Sequence, residues 1–280
     1  PFGRLIPMAA EPFYLGAGSA RRFCLYHGPA TGVAPCGAVV YVHPFAEEMN
    51  KSRRMAALQS RALASAGWAV LQIDLAGCGE SAGDFRDAAW DAWLEDVELA
   101  VDWLAERAGF RPWLWGLRGG CLVAVEAARK IGGGFNFLFW QPVLSGKQHL
   151  QQFLRLKLAG ELVRGDSRGA SEELSRAMAA GEIVEVAGYD LAPALTDGLA
   201  AAALTPPGRA GRVIWFEVST REGATLAPAA LKQAAAWTAA GYRVATAVTA
   251  GPGFWQTVEV EEAPDLVAAS LDALEESCRG

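Results

Sequence analysis

Histidine is scarce in this chain. Of 280 residues only His27, His43 and His149 are histidine, and none follows His149. Any mechanism that needs an imidazole must draw on those three. Cysteine is also sparse: Cys24, Cys36, Cys78, Cys121 and Cys278 are widely spaced, odd in number and free of any CxxC pair. That pattern excludes a disulfide framework and a structural zinc site, so a reducing, cytoplasmic location is expected, with no metal and no cofactor. No apolar run approaches the roughly 18 residues that span a bilayer, and the first residues lack a basic segment followed by an apolar one. Positive charge is in deficit, with Lys+Arg at 25 against Asp+Glu at 31 and a net charge of −6. A broad basic footprint for nucleic acid or an anionic membrane is thereby excluded, and the expected partner is a small molecule or a protein. Nothing in the pattern sets an oligomeric state.

What is present is apolar and periodic. A hydrophobic fraction of 52% is ample for a sizeable core. From residue 38 onward, short runs rich in Val, Ile and aromatics alternate with segments of helical period, the pattern of a parallel sheet with crossover helices. Ala38 to Val42, Trp68 to Ile73, Pro112 to Trp115, Phe135 to Trp140, Arg212 to Val218 and Tyr242 to Val248 read as strands. Pro12 to Leu15 and Arg22 to Tyr26 read as antiparallel edge strands. Between them fall a helix capped by Asn50, one carrying Trp90, Trp93, Leu94, Val97, Val101 and Leu104, one over Gly120 to Ile131, and one over Pro228 to Ala240. Residues 146–208 break the rhythm with helical pattern and no convincing strand. Ser145 with Gln148 is a capping-box signature that opens this insert, and the Ala-rich Leu199 to Leu204 reads as helix.

Three loops carry the chemistry. Strand Ala38 to Val42 runs into His43-Pro44-Phe45. The next strand runs into Asp74-Leu75-Ala76-Gly77-Cys78-Gly79-Glu80-Ser81. Gly116-Leu117-Arg118-Gly119-Gly120 joins a strand to a helix. In order and spacing these resemble the α/β-hydrolase fold: a loop supplying half an oxyanion hole, a D-x-x-G-x-G-x-S loop, and a nucleophile elbow. The resemblance implies an α/β fold with a mostly parallel central sheet flanked by helices. Residues 1–145 and 209–280 would form the two parts of the core, with 146–208 as a helical cap insertion.

Arg118 stands where that fold places Ser or Cys, and an always-protonated guanidinium is no acyl-transfer nucleophile. After the strand Arg212 to Val218 come Ser219-Thr220-Arg221-Glu222-Gly223, so Glu222, or else Glu217, takes the acid-like place. After the last strand comes Ala250-Gly251-Pro252-Gly253-Phe254-Trp255-Gln256-Thr257, without the expected His. The run His43 to Arg54, the Gly-Leu-Arg elbow and Phe254-Trp255-Gln256-Thr257 together resemble the exosortase A system-associated hydrolase 2 family. That family is named a hydrolase from its fold and is linked by genomic context to bacterial exopolysaccharide and protein-sorting loci.

The expected site follows from this placement. Arg118 at a helix N-terminus suits a carboxylate, phosphate or sulfate; the competing reading is an ion pair with Glu48 or Glu222. His43, Glu48, Arg118 and Glu222 are the candidate catalytic residues, with Arg118 stabilising negative charge and a carboxylate or His43 activating water. Phe45, Glu47, Leu117, Gly119, Trp255 and Gln256 are the candidate ligand contacts, for a small molecule that is anionic or acylated. Cys121 reads as a core residue and Ser81 as a turn residue. Two functions compete: cleavage of an ester, thioester or acylated saccharide by a non-standard constellation, and a non-catalytic protein that keeps the cleft for an anionic ligand or as a scaffold.

Overall fold

A computed structural model of the chain describes residues 10–164, 176–208 and 210–279. Its main sheet has eight strands in the order β1-β2-β4-β3-β5-β6-β9-β10. In chain order these are β1 (Glu11–Leu15), β2 (Arg22–His27), β3 (Gly37–Val42), β4 (Trp68–Ile73), β5 (Trp113–Leu117), β6 (Phe137–Trp140), β9 (Arg212–Ser219) and β10 (Arg243–Ala250). β1 and β2 pair antiparallel at one edge, and every pairing from β4 through β10 is parallel. The helices are α1 (Glu47–Ser65), α2 (Trp90–Ala108), α3 (Gly120–Ile131), α4 (Gly146–Arg164), α5 (Pro193–Ala201), α6 (Pro228–Ala239) and α7 (Pro264–Arg279).

Strands β3, β4, β5 and β6 are buried on both faces, as continuous apolar runs require, while the edge strands β1 and β10 are largely exposed. Strand alternation sends Val40 and Val42 to the layer that holds Val97, Val101, Leu122 and Val125 of α2 and α3. Val39, Tyr41, Trp113 and Trp115 go to the opposite layer, with Met55 and Leu63 of α1 and Leu266 and Leu274 of α7. Each such side chain removed from water is worth roughly 1.5–3 kcal/mol. The two layers clamp the sheet, and the loops at the C-terminal ends of β3, β5 and β6 are held in place by them.

Several details depart from the sequence reading. Helix α1 begins at Glu47, so Asn50 lies inside it and accepts a hydrogen bond from Arg53 Nε instead of capping. The entry is a tight turn in which Glu48 N–H donates to Phe45 O, with Ala46 at φ 50° and ψ −128°. Glu47 and Glu48 then occupy the first turn, where the helix dipole favours carboxylates. The segment expected to be a helical insert is not wholly helical: β7 (Val184–Val186) and β8 (Tyr189–Leu191) form a hairpin over an Ala187–Gly188 turn with two positive φ angles. Its strands are too short for a legible alternation. Helix α5 stops at Ala201, so the Ala-rich stretch is helical only in its first part; Ala203 instead bridges to Ser145. Ser145 Oγ does accept the Gln148 N–H, at 3.4 Å. Residues 165–175 of the expected insert lie outside the described residues.

Candidate functional site

The elbow between β5 and α3 is built by two close approaches. A Cβ on Gly116 would lie 2.6 Å from Cys121 Cα, and one on Gly120 2.3 Å from Val42 O, so both positions exclude any side chain. The chain reverses through Arg118, which takes φ 53°, a left-handed conformation that non-glycine residues hold only when their surroundings over-determine it. Here Arg118 N–H donates to Trp140 O at 3.0 Å, and Arg118 O accepts from Cys121 N–H at 3.1 Å. The turn lifts Arg118 into a pocket of about 190 Å³ at the C-terminal end of the sheet, among Phe45, Glu47, Glu48, His149, Phe153 and Trp255.

Arg118 Nε donates to Glu48 Oε1 at 3.1 Å, and the guanidinium carbon lies 5.5 Å from the Trp255 ring centroid. Both partners of the ion pair are largely covered, with side-chain exposures of 19% and 12%. Burial pushes Glu48 up from 4.5 to about 7, against the lowering pull of Arg118. Glu47 is also raised by burial. A carboxyl that titrates near neutrality beside a fixed cation is equipped to exchange a proton at working pH.

The third polar member comes from α4. His149 of α4 is 5% exposed, and its Nε2 stands 4.0 Å from Glu48 Oε2. Burial, with the Arg118 charge, lowers His149 to about 3, so the ring is neutral at ordinary pH. Four buried polar atoms here, Glu47 Oε2, Glu48 Oε2, His149 Nδ1 and His149 Nε2, meet no hydrogen-bond partner among the described residues. The 4.0 Å gap is too long for a direct hydrogen bond, yet one oxygen about 2.8 Å from each atom fits the separation. Gly119 closes the floor: a Cβ there would sit 3.2 Å from His149 Nε2 and 3.4 Å from Phe45 Cβ.

Of the sequence candidates, Glu48, Arg118, Phe45, Glu47, Gly119, Trp255 and Gln256 meet at this pocket or its rim. Three do not. Glu222 is exposed on the loop after β9 and makes no contact with Arg118, whose carboxylate partner is Glu48. Glu217 is tied to the Ala227 N–H at 3.4 Å. Leu117 shares strand parity with Trp115 and points into the layer of α1 and α7, away from the pocket. His43 is buried with both ring nitrogens engaged: Nδ1 bonds Pro44 O at 2.8 Å, and Nε2 accepts the Leu75 N–H at 3.2 Å. That pattern fixes the neutral tautomer with the proton on Nδ1. Burial lowers its basicity further, and its two hydrogen bonds pin two loops together.

Cys121 is fully buried with its thiol raised well above the usual range by burial, and Ser81 Oγ accepts from Phe23 N–H at 2.8 Å while donating to Asp74 O at 2.5 Å. Neither is available as a nucleophile. The residues missed from sequence are His149, Gln152, Phe153 and Leu156. Their spacing of three, four and seven is one face of a helix, so a signal existed. What the sequence could not show was the element this face meets.

Residues 26–130, running from the end of β2 almost to the end of α3, match the family model described as X-Pro dipeptidyl-peptidase (S15 family). No curated protein matches the chain. Among solved structures, it is similar to Est1E from Butyrivibrio proteoclasticus with bound ferulic acid: 15% identity, 96% of this chain and 100% of that one, TM-score 0.65. Alpha/beta hydrolase domain-containing protein 10 from mouse is 13% identical over 95% of this chain and 99% of its own, TM-score 0.63. An α/β serine hydrolase without lid from Xanthomonas campestris is 14% identical over 99% and 97%, TM-score 0.55. The fold is therefore the α/β-hydrolase fold. Among the described residues no helix is long and apolar enough to cross a membrane.

Proposed function

We propose that this chain is a hydrolase of esters or thioesters that uses an activated water in place of an enzyme-bound nucleophile. The observation that carries the reading is the 4.0 Å gap between Glu48 Oε2 and His149 Nε2, two buried and unpartnered atoms facing one pocket at the elbow. A water bonded to both is aimed at a carbonyl lying over Gly119. As the water oxygen attacks the carbonyl carbon, its proton passes to Glu48. The oxyanion is stabilised by the guanidinium nitrogens of Arg118 that Glu48 does not hold. Collapse breaks the C–O or C–S bond, and Glu48 returns the proton to the leaving group. The products are a carboxylic acid and an alcohol or thiol, and no acyl-enzyme forms.

In this reading the triad of the fold is degenerate, residues 146–208 act as a cap that brings His149 to the pocket, and the protein works in the cytoplasm. The finer placement, with the exosortase A system-associated hydrolase 2 group, an exopolysaccharide context and an acylated saccharide as one substrate type, rests on the resemblance of the His43 to Arg54 run, the elbow and the Phe254 to Thr257 loop. A panel of esters and thioesters tests the chemistry: turnover should exceed that of Glu48→Gln and Arg118→Ala. A fluorophosphonate probe should leave every serine unlabelled. Turnover no higher than the variants, or covalent labelling of a serine, overturns the mechanism.

One observation favours a second reading, a non-catalytic binding protein: the Arg118–Glu48 pair already satisfies the charge at the elbow. In that case carboxylates, sugar phosphates or acyl carriers would raise the melting temperature of the wild type more than that of Arg118→Ala, without turnover.

A further inference from the structure

Helix α1 leads away from the pocket carrying an unusual load of cations. Lys51, Arg53, Arg54 and Arg61 line one groove of about 760 Å³ with Ala57 and Glu262. The groove adjoins the pocket: Lys51 Nζ reaches Gln256 O at 3.5 Å, and Gln256 lines the pocket rim. On a helix rising 1.5 Å per residue, the groove runs from about 5 Å to about 20 Å beyond Glu48. Its cations are incompletely balanced. Arg53 bonds Asp74 at 3.2 Å and Arg54 pairs with Glu262. Lys51 donates to a backbone carbonyl and lies in the field of Glu47 and Glu48 without a direct ion pair, and Arg61 makes no ion pair among the described residues. Among the described residues Lys51 and Arg61 have no carboxylate within ion-pair distance, so two of the four cations face the groove without a direct ion pair on a molecule whose net charge is −6. Such a concentration focuses the field on a multiply charged anion, and forked guanidinium donors suit phosphate oxygens.

We propose that this groove binds the phosphate-bearing arm of the substrate, so that the pocket acts on an ester or thioester attached to a phosphorylated carrier. The assignment of a reacting carbonyl to the pocket rests on the hydrolytic reading above; the phosphate site itself does not. The test compares an acyl-coenzyme A with the same acyl group on N-acetylcysteamine, which keeps the thioester and lacks the phosphates. Wild-type protein should prefer the coenzyme A thioester, with a KM that rises with salt. R54A/R61A, whose residues are exposed and outside the pocket, should raise that KM about tenfold with kcat unchanged and leave the truncated thioester unaffected. R61A alone, which disturbs no ion pair, should move KM in the same direction. Equal kcat/KM for the two thioesters, insensitive to salt and to both variants, overturns the proposal.

Calorimetric titration with coenzyme A and inorganic pyrophosphate separates the two readings. Binding that R61A weakens, without any turnover, supports the groove and counts against hydrolysis. Cleavage of the truncated thioester by a protein that binds neither probe supports hydrolysis and overturns the groove.

Discussion

Replacing Glu48 by Gln tests both the electrostatics of the pocket and the assignment of the base. In the folded protein burial raises this carboxyl from 4.5 to about 7. Between those values the unfolded chain has released the Glu48 proton while the folded chain still holds it. The group's contribution to stability is therefore fully present below pH 4.5 and is lost as pH rises through about 7. The gap corresponds to about 3 kcal/mol, an upper figure because the pocket is open to solvent. Gln has no proton to lose, so the wild-type stability minus that of Glu48→Gln should fall by about 3 kcal/mol across this window. Urea unfolding followed by tryptophan fluorescence, repeated at intervals from about pH 4.5 to about pH 8, reads that difference. Acid effects from the buried histidines are common to both proteins and cancel. In kinetics, kcat/KM of the wild type should rise with pH on a limb centred near pH 7 that is absent from the variant's residual activity. Parallel stability curves would place the Glu48 ionisation in the ordinary carboxylate range and refute the reasoning.

Arg118→Ala removes the cation that holds Glu48 down, so the acid limb of kcat/KM should move to higher pH while kcat/KM falls about 100-fold or more; an unmoved limb would separate the two residues. Gly119→Ala keeps a helical φ of −58° but narrows the pocket against His149, and should raise KM with little loss of stability, measured by steady-state kinetics and thermal unfolding. Gly120→Ala, whose Cβ meets Val42 O at 2.3 Å, should fail to yield folded protein, read from soluble expression and circular dichroism. His43→Ala orphans the buried Leu75 N–H and should cost about 1–3 kcal/mol in denaturant unfolding, with the position of the pH–rate limb unchanged.

Most of the fold is legible because its determinants are local. Strands β3, β4, β5, β6 and β9 are apolar runs covered on two faces of the sheet, and helices α1, α2 and α3 between them have a three- and four-residue period. The departures have local causes that are harder to read. Asn50 has the chemistry of a cap, but Ala46 in a strained turn starts the helix one turn earlier, where Glu47 and Glu48 suit the dipole. Strand β5 runs on to Leu117, two residues past Trp115, because Gly116 lets α3 lie directly against it. That extension sets the parity of Leu117 and turns it from the pocket into the core.

The site is a tertiary object, and the scarcity of histidine shows why. Counting three imidazoles, none of them after His149, limits any imidazole role to His27, His43 and His149. It says nothing of where the three point. His43 sits beside the elbow in sequence order of the fold, yet two backbone groups consume its nitrogens. His149 lies on α4, whose placement over the elbow no local rule fixes, yet its ring reaches Glu48 and Gly119. Arg118 is ambiguous for the same reason. A guanidinium at a helix N-terminus reads as an anion site until the carboxylate facing it is known, and Glu48, seventy residues earlier, supplies that carboxylate from the turn after β3. Once it does, one Nε is satisfied and the rest of the fork is left beside acceptors. The pocket therefore favours a ligand that donates hydrogen bonds to Glu47, Glu48 and His149 while placing one oxygen on Arg118, as a water and an acyl carbonyl together do.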